Sequence, residues 1–145
     1  MRRRNLVAFA LLGGTALAGC SSSTPPEPSA SDAVIIDATT CEAFGDVLTI
    51  TFNADIARDE GRMQQQEHAG WHRLATRVLH RLPTTGDGAV SDAIAALRGA
   101  APPIALGASG AARVGSDAWN EAFSALMTAC EDAGSALASE GFTGG

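Results

Sequence analysis

The strongest evidence for the fold class is the segment 63–83, which reads Met63-Gln-Gln-Gln-Glu-His-Ala-Gly-Trp-His-Arg-Leu-Ala-Thr-Arg-Val-Leu-His-Arg-Leu-Pro83. Its apolar residues recur at three- and four-residue intervals, which is the spacing of one face of an α-helix. The apolar stripe consists of Met63, Trp71, Leu74, Ala75, Val78, Leu79 and Leu82. Pro83 marks its end, because proline lacks an N–H donor and its ring clashes with the preceding turn. The pattern predicts a helix with Trp71 in the protein core.

The segment before this helix also has helical spacing. Thr39-Thr40-Cys41-Glu42 has the form of a capping box, which predicts a helix start at Thr39. Apolar residues follow it at four-residue intervals, namely Phe44, Leu48, Phe52 and Ile56. The residues 47–52 are rich in β-branched side chains and are compatible with a strand, but the cap and the spacing favour a helix.

Two further helices are predicted toward the carboxyl end. Val90, Ile94 and Leu97 mark a short helix that ends near Gly99. After a connection rich in glycine and alanine, Ser116 is a good N-cap for the last helix, with Asp117 in its first turn. The apolar face of that helix comprises Trp119, Phe123, Leu126, Met127, Cys130, Ala133 and Leu137.

Four amphipathic helices predict an all-α domain, a small four-helix bundle with up-down-up-down topology, over residues 34–140. Residues 141–145 are expected to be a flexible tail. Cys41 and Cys130 lie near the start of the first helix and the far end of the fourth, which are neighbours in such a bundle. We therefore predict one disulfide between Cys41 and Cys130.

The amino-terminal residues have the pattern of an export signal. Arg2, Arg3 and Arg4 precede about a dozen apolar residues, too few for a permanent membrane-spanning helix. The run ends in Leu17-Ala18-Gly19-Cys20, which resembles the lipobox of bacterial lipoproteins. This resemblance implies that residues 1–19 are a cleaved signal peptide and that Cys20 carries a diacylglyceryl anchor, often with a further acyl chain such as palmitate. The protein would then be held at the outer face of the cell membrane.

Residues 20–33 are rich in serine and proline and predict a disordered tether between the anchor and the domain. The full chain has a formal net charge of −6. Removing the three signal-peptide arginines leaves seven arginines against sixteen carboxylates, a net charge of −9. Such acidity argues against nucleic acid as a partner, because phosphate neutralisation requires a basic surface.

Basic residues are nevertheless concentrated in one segment, since five of the seven remaining arginines and all three histidines lie between residues 58 and 81. Arg62, Arg73 and Arg77 point away from the apolar stripe on a helical wheel. They form either an ordinary solvated face or a surface for an anionic partner.

His68 and His72 have the i, i+4 spacing that allows two imidazoles to reach one metal ion. A third ligand would have to come from another helix, for instance Asp55 or an acidic residue of the last helix. The alternative is that both are boundary histidines that contact water. His80 points to the opposite side of the helix and cannot join them.

The sequence contains no recognisable catalytic motif and no Cys-x-x-Cys pair, and we predict neither an enzyme nor a bound cofactor. The first functional hypothesis is a non-enzymatic module that binds another envelope protein or a peptidic ligand. The alternative is a carrier or sensor of a small ligand or metal, which uses the bundle interior near His68, His72 and Trp71.

Overall fold

The computed structural model describes residues 30–84, 86–108 and 110–142. Within these ranges the chain forms four helices and no strand: α1 (Ala30–Asp59), α2 (Gln65–Leu79), α3 (Ala89–Ala100) and α4 (Asp117–Asp132). The predicted all-α fold class is confirmed. The predicted signal peptide, Cys20, most of the tether and residues 143–145 lie outside the described residues. In the described part of the chain, no helix is both long and apolar enough to cross a membrane.

The predicted start of the first helix is wrong, because α1 begins at Ala30 and not at Thr39. The last four residues of the predicted tether are therefore helical, and Pro28 is the last proline before Pro83, so no proline interrupts this helix. Thr39 lies within α1, where its hydroxyl donates to the carbonyl oxygen of Ile35 at 2.9 Å. The hydroxyl thus bonds one turn backward along the helix and does not cap an N-terminus.

The helices pack mainly as two hairpins, α1 with α2 and α3 with α4. In the first hairpin the chain reverses direction, since the hydroxyl of Thr40, in the first half of α1, donates to the carbonyl oxygen of Pro83, beyond the end of α2, at 2.8 Å. Asp55 near the end of α1 correspondingly lies beside His68 near the start of α2. Contacts between the hairpins are less extensive and involve α1 with α3, α1 with α4 and α2 with α3.

The core forms where α1, α3, α4 and the end of α2 meet. Phe44 stacks on Trp119 and Phe123 of α4, with ring centroids 6.4 and 6.0 Å apart. The predicted Cys41–Cys130 disulfide is present beside this stack, with Cα atoms 5.8 Å apart and both cysteines buried. The remaining large side chains of the core are Val47, Leu79, Val90, Ile94, Leu97 and Leu126. As predicted, α4 begins after the N-cap Ser116, whose hydroxyl accepts from the Trp119 N–H at 3.3 Å.

Residues 135–142 continue past α4 and lie along α1. Gly134, with φ of 74°, reverses the chain after α4. The Glu140 N–H then donates to the hydroxyl of Thr49 at 3.0 Å. Asn53 makes two bonds to this segment: its amide nitrogen donates to the Glu140 carbonyl oxygen at 2.7 Å, and its amide oxygen accepts from the Phe142 N–H at 2.6 Å. The predicted flexible tail is therefore bound to α1 as far as Phe142.

Candidate functional site

One cluster of side chains lies next to the connection between α1 and α2, where two imidazoles converge on a single oxygen atom. Nε2 of His68 lies 2.7 Å from Oδ1 of Asp55, and Nε2 of His72 lies 2.8 Å from the same oxygen. The two imidazole rings are 4.2 Å apart between centroids. We call Asp55, His68 and His72 the histidine cluster.

Local sequence explains how the fold builds the histidine cluster. The two histidines are four residues apart on α2 and therefore occupy neighbouring positions on one side of that helix. The connection between α1 and α2 spans only residues 60–64, so the last turns of α1 lie beside the first turns of α2. Asp55 is the carboxylate that this short connection places against both rings.

The cluster lies at the surface and not in the bundle interior. Asp55 is 54% exposed, whereas the side chains of His68 and His72 are 25% and 12% exposed. One face of the cluster is thus open to water, while α2 holds the two imidazoles in place. Two imidazole nitrogens and one carboxylate oxygen are ligands that zinc and copper bind in proteins.

A second feature of the α1–α2 hairpin is a set of aromatic side chains outside the core. Phe52, Trp71 and Phe142 are 46%, 41% and 63% exposed, and we call them the aromatic face. The prediction that Trp71 belongs to the core is wrong, although the same prediction for Trp119 is confirmed. On an α-helix, residues four apart in sequence differ by about 40° in direction around the helix axis. Phe52 comes two such intervals after Phe44, so its side chain is rotated away from the buried face that contains Phe44.

Two adjoining cavities are lined by the aromatic face. An almost wholly apolar cavity of about 200 Å³ is lined by Trp71, Phe142, Met63, Ile50 and parts of Thr49, Asn53 and Ala54. A neighbouring cavity of about 400 Å³ is lined by Phe52 and Phe142 with the Glu60–Arg62 ion pair at its edge. Phe142 and Asn53 belong to both cavities, so the bound carboxyl-terminal segment completes this surface.

The predicted anionic-partner surface is divided by contacts within the chain. Arg62 lies outside α2 and pairs with Glu60. Arg73 donates from Nε to the carbonyl oxygen of Gly110 at 3.1 Å, which holds the loop between α3 and α4 against α2. Arg77 is half-buried in the last turn of α2. Two of the three arginines therefore have a partner inside the protein.

The structure also separates the third histidine from the cluster, as predicted. Nε2 of His80 lies 3.0 Å from the carbonyl oxygen of Ala101, at the other end of α2. Sequence reasoning named Asp55 as one possible ligand but did not identify Asn53 or Phe142. The signal for Phe142 was its position as the one large apolar residue after Leu137.

Comparison of the chain with protein-family models, with curated proteins and with solved structures gives no match.

Proposed function

We propose that the protein is an exported, lipid-anchored, non-enzymatic module that binds an envelope protein through its aromatic face. The observation that carries this proposal is the exposure of Phe52, Trp71 and Phe142 beside a separate, well-packed core. Contiguous exposed apolar surface with aromatic residues is typical of protein interaction sites, whereas single exposed apolar residues are common on any protein surface. The cavity of about 200 Å³ has room for one or two apolar side chains of a partner.

The charge of the chain favours a protein over the bilayer as the occupant of this face. A mature chain with net charge −9 is repelled by anionic lipid headgroups, which attract basic segments. The charged residues that line the larger cavity, Glu60 and Arg62, form an ion pair with each other. The partner should therefore present apolar anchor residues surrounded by neutral or basic groups.

The alternative, a carrier with its cargo in the bundle interior near His68, His72 and Trp71, has less support. Trp71 is exposed, and the interior beside Phe44 is filled by Trp119 and Phe123. The histidine cluster lies at the surface and not in the bundle interior.

Photo-crosslinking in living cells tests the proposal. A photoreactive residue replaces Trp71 or Phe142 in the full-length lipoprotein, and the matched controls replace Leu106 or Met127, which are exposed but outside both cavities. We expect both test positions to give the same crosslinked envelope protein, and the controls to give none. With that protein purified, Trp71→Ala should weaken binding by about tenfold or more. Identical products from all four positions, or crosslinks to lipid alone, would contradict the proposal.

A further inference from the structure

We propose that Asp55, His68 and His72 bind one divalent transition metal ion, zinc or copper, in an exchangeable surface site. The inference is independent of the protein partner proposed above. It rests on three donor atoms that lie within 4.8 Å of one another and come from two helices.

The present distances between the donor atoms mean that metal binding requires only a small rearrangement of the three side chains. In a tetrahedral zinc site with bonds of about 2.0–2.1 Å, the donor atoms are about 3.3 Å apart. The two nitrogen–oxygen distances are now 2.7 and 2.8 Å, so each must widen by about half an ångström. Asp55 is the most exposed of the three side chains and is free to make most of this movement. Both rings already direct Nε2 at the same point, so α2 has preorganised the imidazoles.

The donor set determines which class of ion fits. Imidazole nitrogens suit zinc and copper, whereas magnesium and calcium require oxygen ligands in larger number. Binding uses the neutral imidazole with its proton on Nδ1 and the lone pair of Nε2 directed at the metal. The carboxylate of Asp55 offsets one of the two positive charges, and the acidic chain raises the local concentration of cations.

The open side of the cluster implies an exchangeable site and not a structural one. Structural zinc sites have four protein ligands, whereas three ligands leave positions for water or an external donor. Within the described residues, both rings make their hydrogen bonds through Nε2, and Nδ1 has no protein partner there that would fix the ring orientation. Outer-shell partners contribute tenfold to a hundredfold in metal affinity, and we therefore expect a reversible site.

Titration of the detergent-extracted full chain with zinc chloride tests this assignment, with the disulfide intact and isothermal calorimetry as the measurement. We expect one zinc ion per chain. His72→Ala and His68→Ala should each lower affinity by at least about tenfold, because the loss of a ligand exceeds the loss of an outer-shell partner. Asp55→Asn, which keeps the shape but loses the charge, should also weaken binding. The control His80→Ala should leave affinity unchanged, since His80 contacts Ala101 at the other end of α2.

A second measurement uses only the wild-type protein, so its result does not depend on whether a variant folds correctly. Zinc should shift the ring proton signals of His68 and His72 in the wild-type NMR spectrum and leave those of His80 in place. Copper chloride should give saturable binding at the same site, and magnesium chloride should not compete. Absence of saturable binding would overturn the proposal and leave the cluster as a hydrogen-bonded contact between α1 and α2. Equal losses in His80→Ala and His72→Ala, or equal competition by magnesium, would overturn it too.

Discussion

Removal of the Cys41–Cys130 disulfide should destabilise the domain more than the loss of any exposed side chain. The bond joins residues 89 positions apart and cross-links α1 of the first hairpin to α4 of the second. Closing a loop of this length lowers the conformational entropy of the unfolded chain, which stabilises the folded state by about 4–5 kcal/mol in the chain-entropy model. Measured stabilisations are typically about 2–4 kcal/mol. Both cysteines are buried against Phe44, so replacement by alanine also leaves a small cavity.

For a domain of about 110 residues, each kcal/mol shifts the melting temperature by about 4–5 °C. The variant Cys41→Ala/Cys130→Ala should therefore melt about 10–15 °C below the oxidised wild type, measured by circular dichroism. Reductant provides the control, because it should lower the melting temperature of the wild type and leave the double variant unchanged. A double variant that melts within about 3 °C of the oxidised wild type would refute the reasoning.

Three further predictions concern packing and ligand binding. Gly45→Ala should lower the free energy of unfolding by about 1–3 kcal/mol in urea titrations, since the new Cβ would lie 2.8 Å from the Ala138 carbonyl oxygen. The control Gly70→Ala should instead raise the free energy of unfolding by about 0.5–1 kcal/mol, because Gly70 lies within α2 and has open space around it. Equal effects of the two substitutions would contradict the placement of residues 135–142 against α1. Trp119→Ala should cost about 3–5 kcal/mol and Trp71→Ala less than about 1 kcal/mol, so similar losses would argue against the assigned core. Zinc at 100 times its Kd should stabilise the chain by about 2.7 kcal/mol in thermal melts, and no shift would count against the histidine cluster as a metal site.

Local patterns in the sequence predicted the fold class correctly. Ser116 is a real N-cap, because a cap acts within one turn. Pro83 does not mark the boundary of the second helix, since α2 already ends at Leu79. The disulfide was predictable because Cys41 and Cys130 are the two cysteines of the predicted domain, although Cys41 lies within α1 and not at its start. The prediction that the first helix starts at Thr39 failed because a threonine hydroxyl can cap a helix or donate to a carbonyl oxygen one turn earlier in the same helix. Thr39 does the latter, with Ile35.

The aromatic face was not predictable in the same way. Trp71 shares its helical phase with buried residues, but the first turns of α2 extend past the core, so its side chain lines a surface cavity together with Phe142 and Met63. Phe142 follows eight residues without helical periodicity, and its position depends on the long-range bonds of Asn53. The spacing of His68 and His72 indicated a possible metal pair. Only the three-dimensional structure, however, shows that Asp55 contacts both rings.

The location of the whole molecule depends on the lipid anchor proposed at Cys20. Growth of cells with a fatty-acid analogue, followed by detection of label on the purified full-length protein, tests this claim most directly. We predict that wild-type protein carries the label and partitions into detergent, and that Cys20→Ala protein carries none. Wild-type protein without label, or equal labelling of Cys20→Ala, would contradict the anchor and with it the proposed position at the outer face of the membrane.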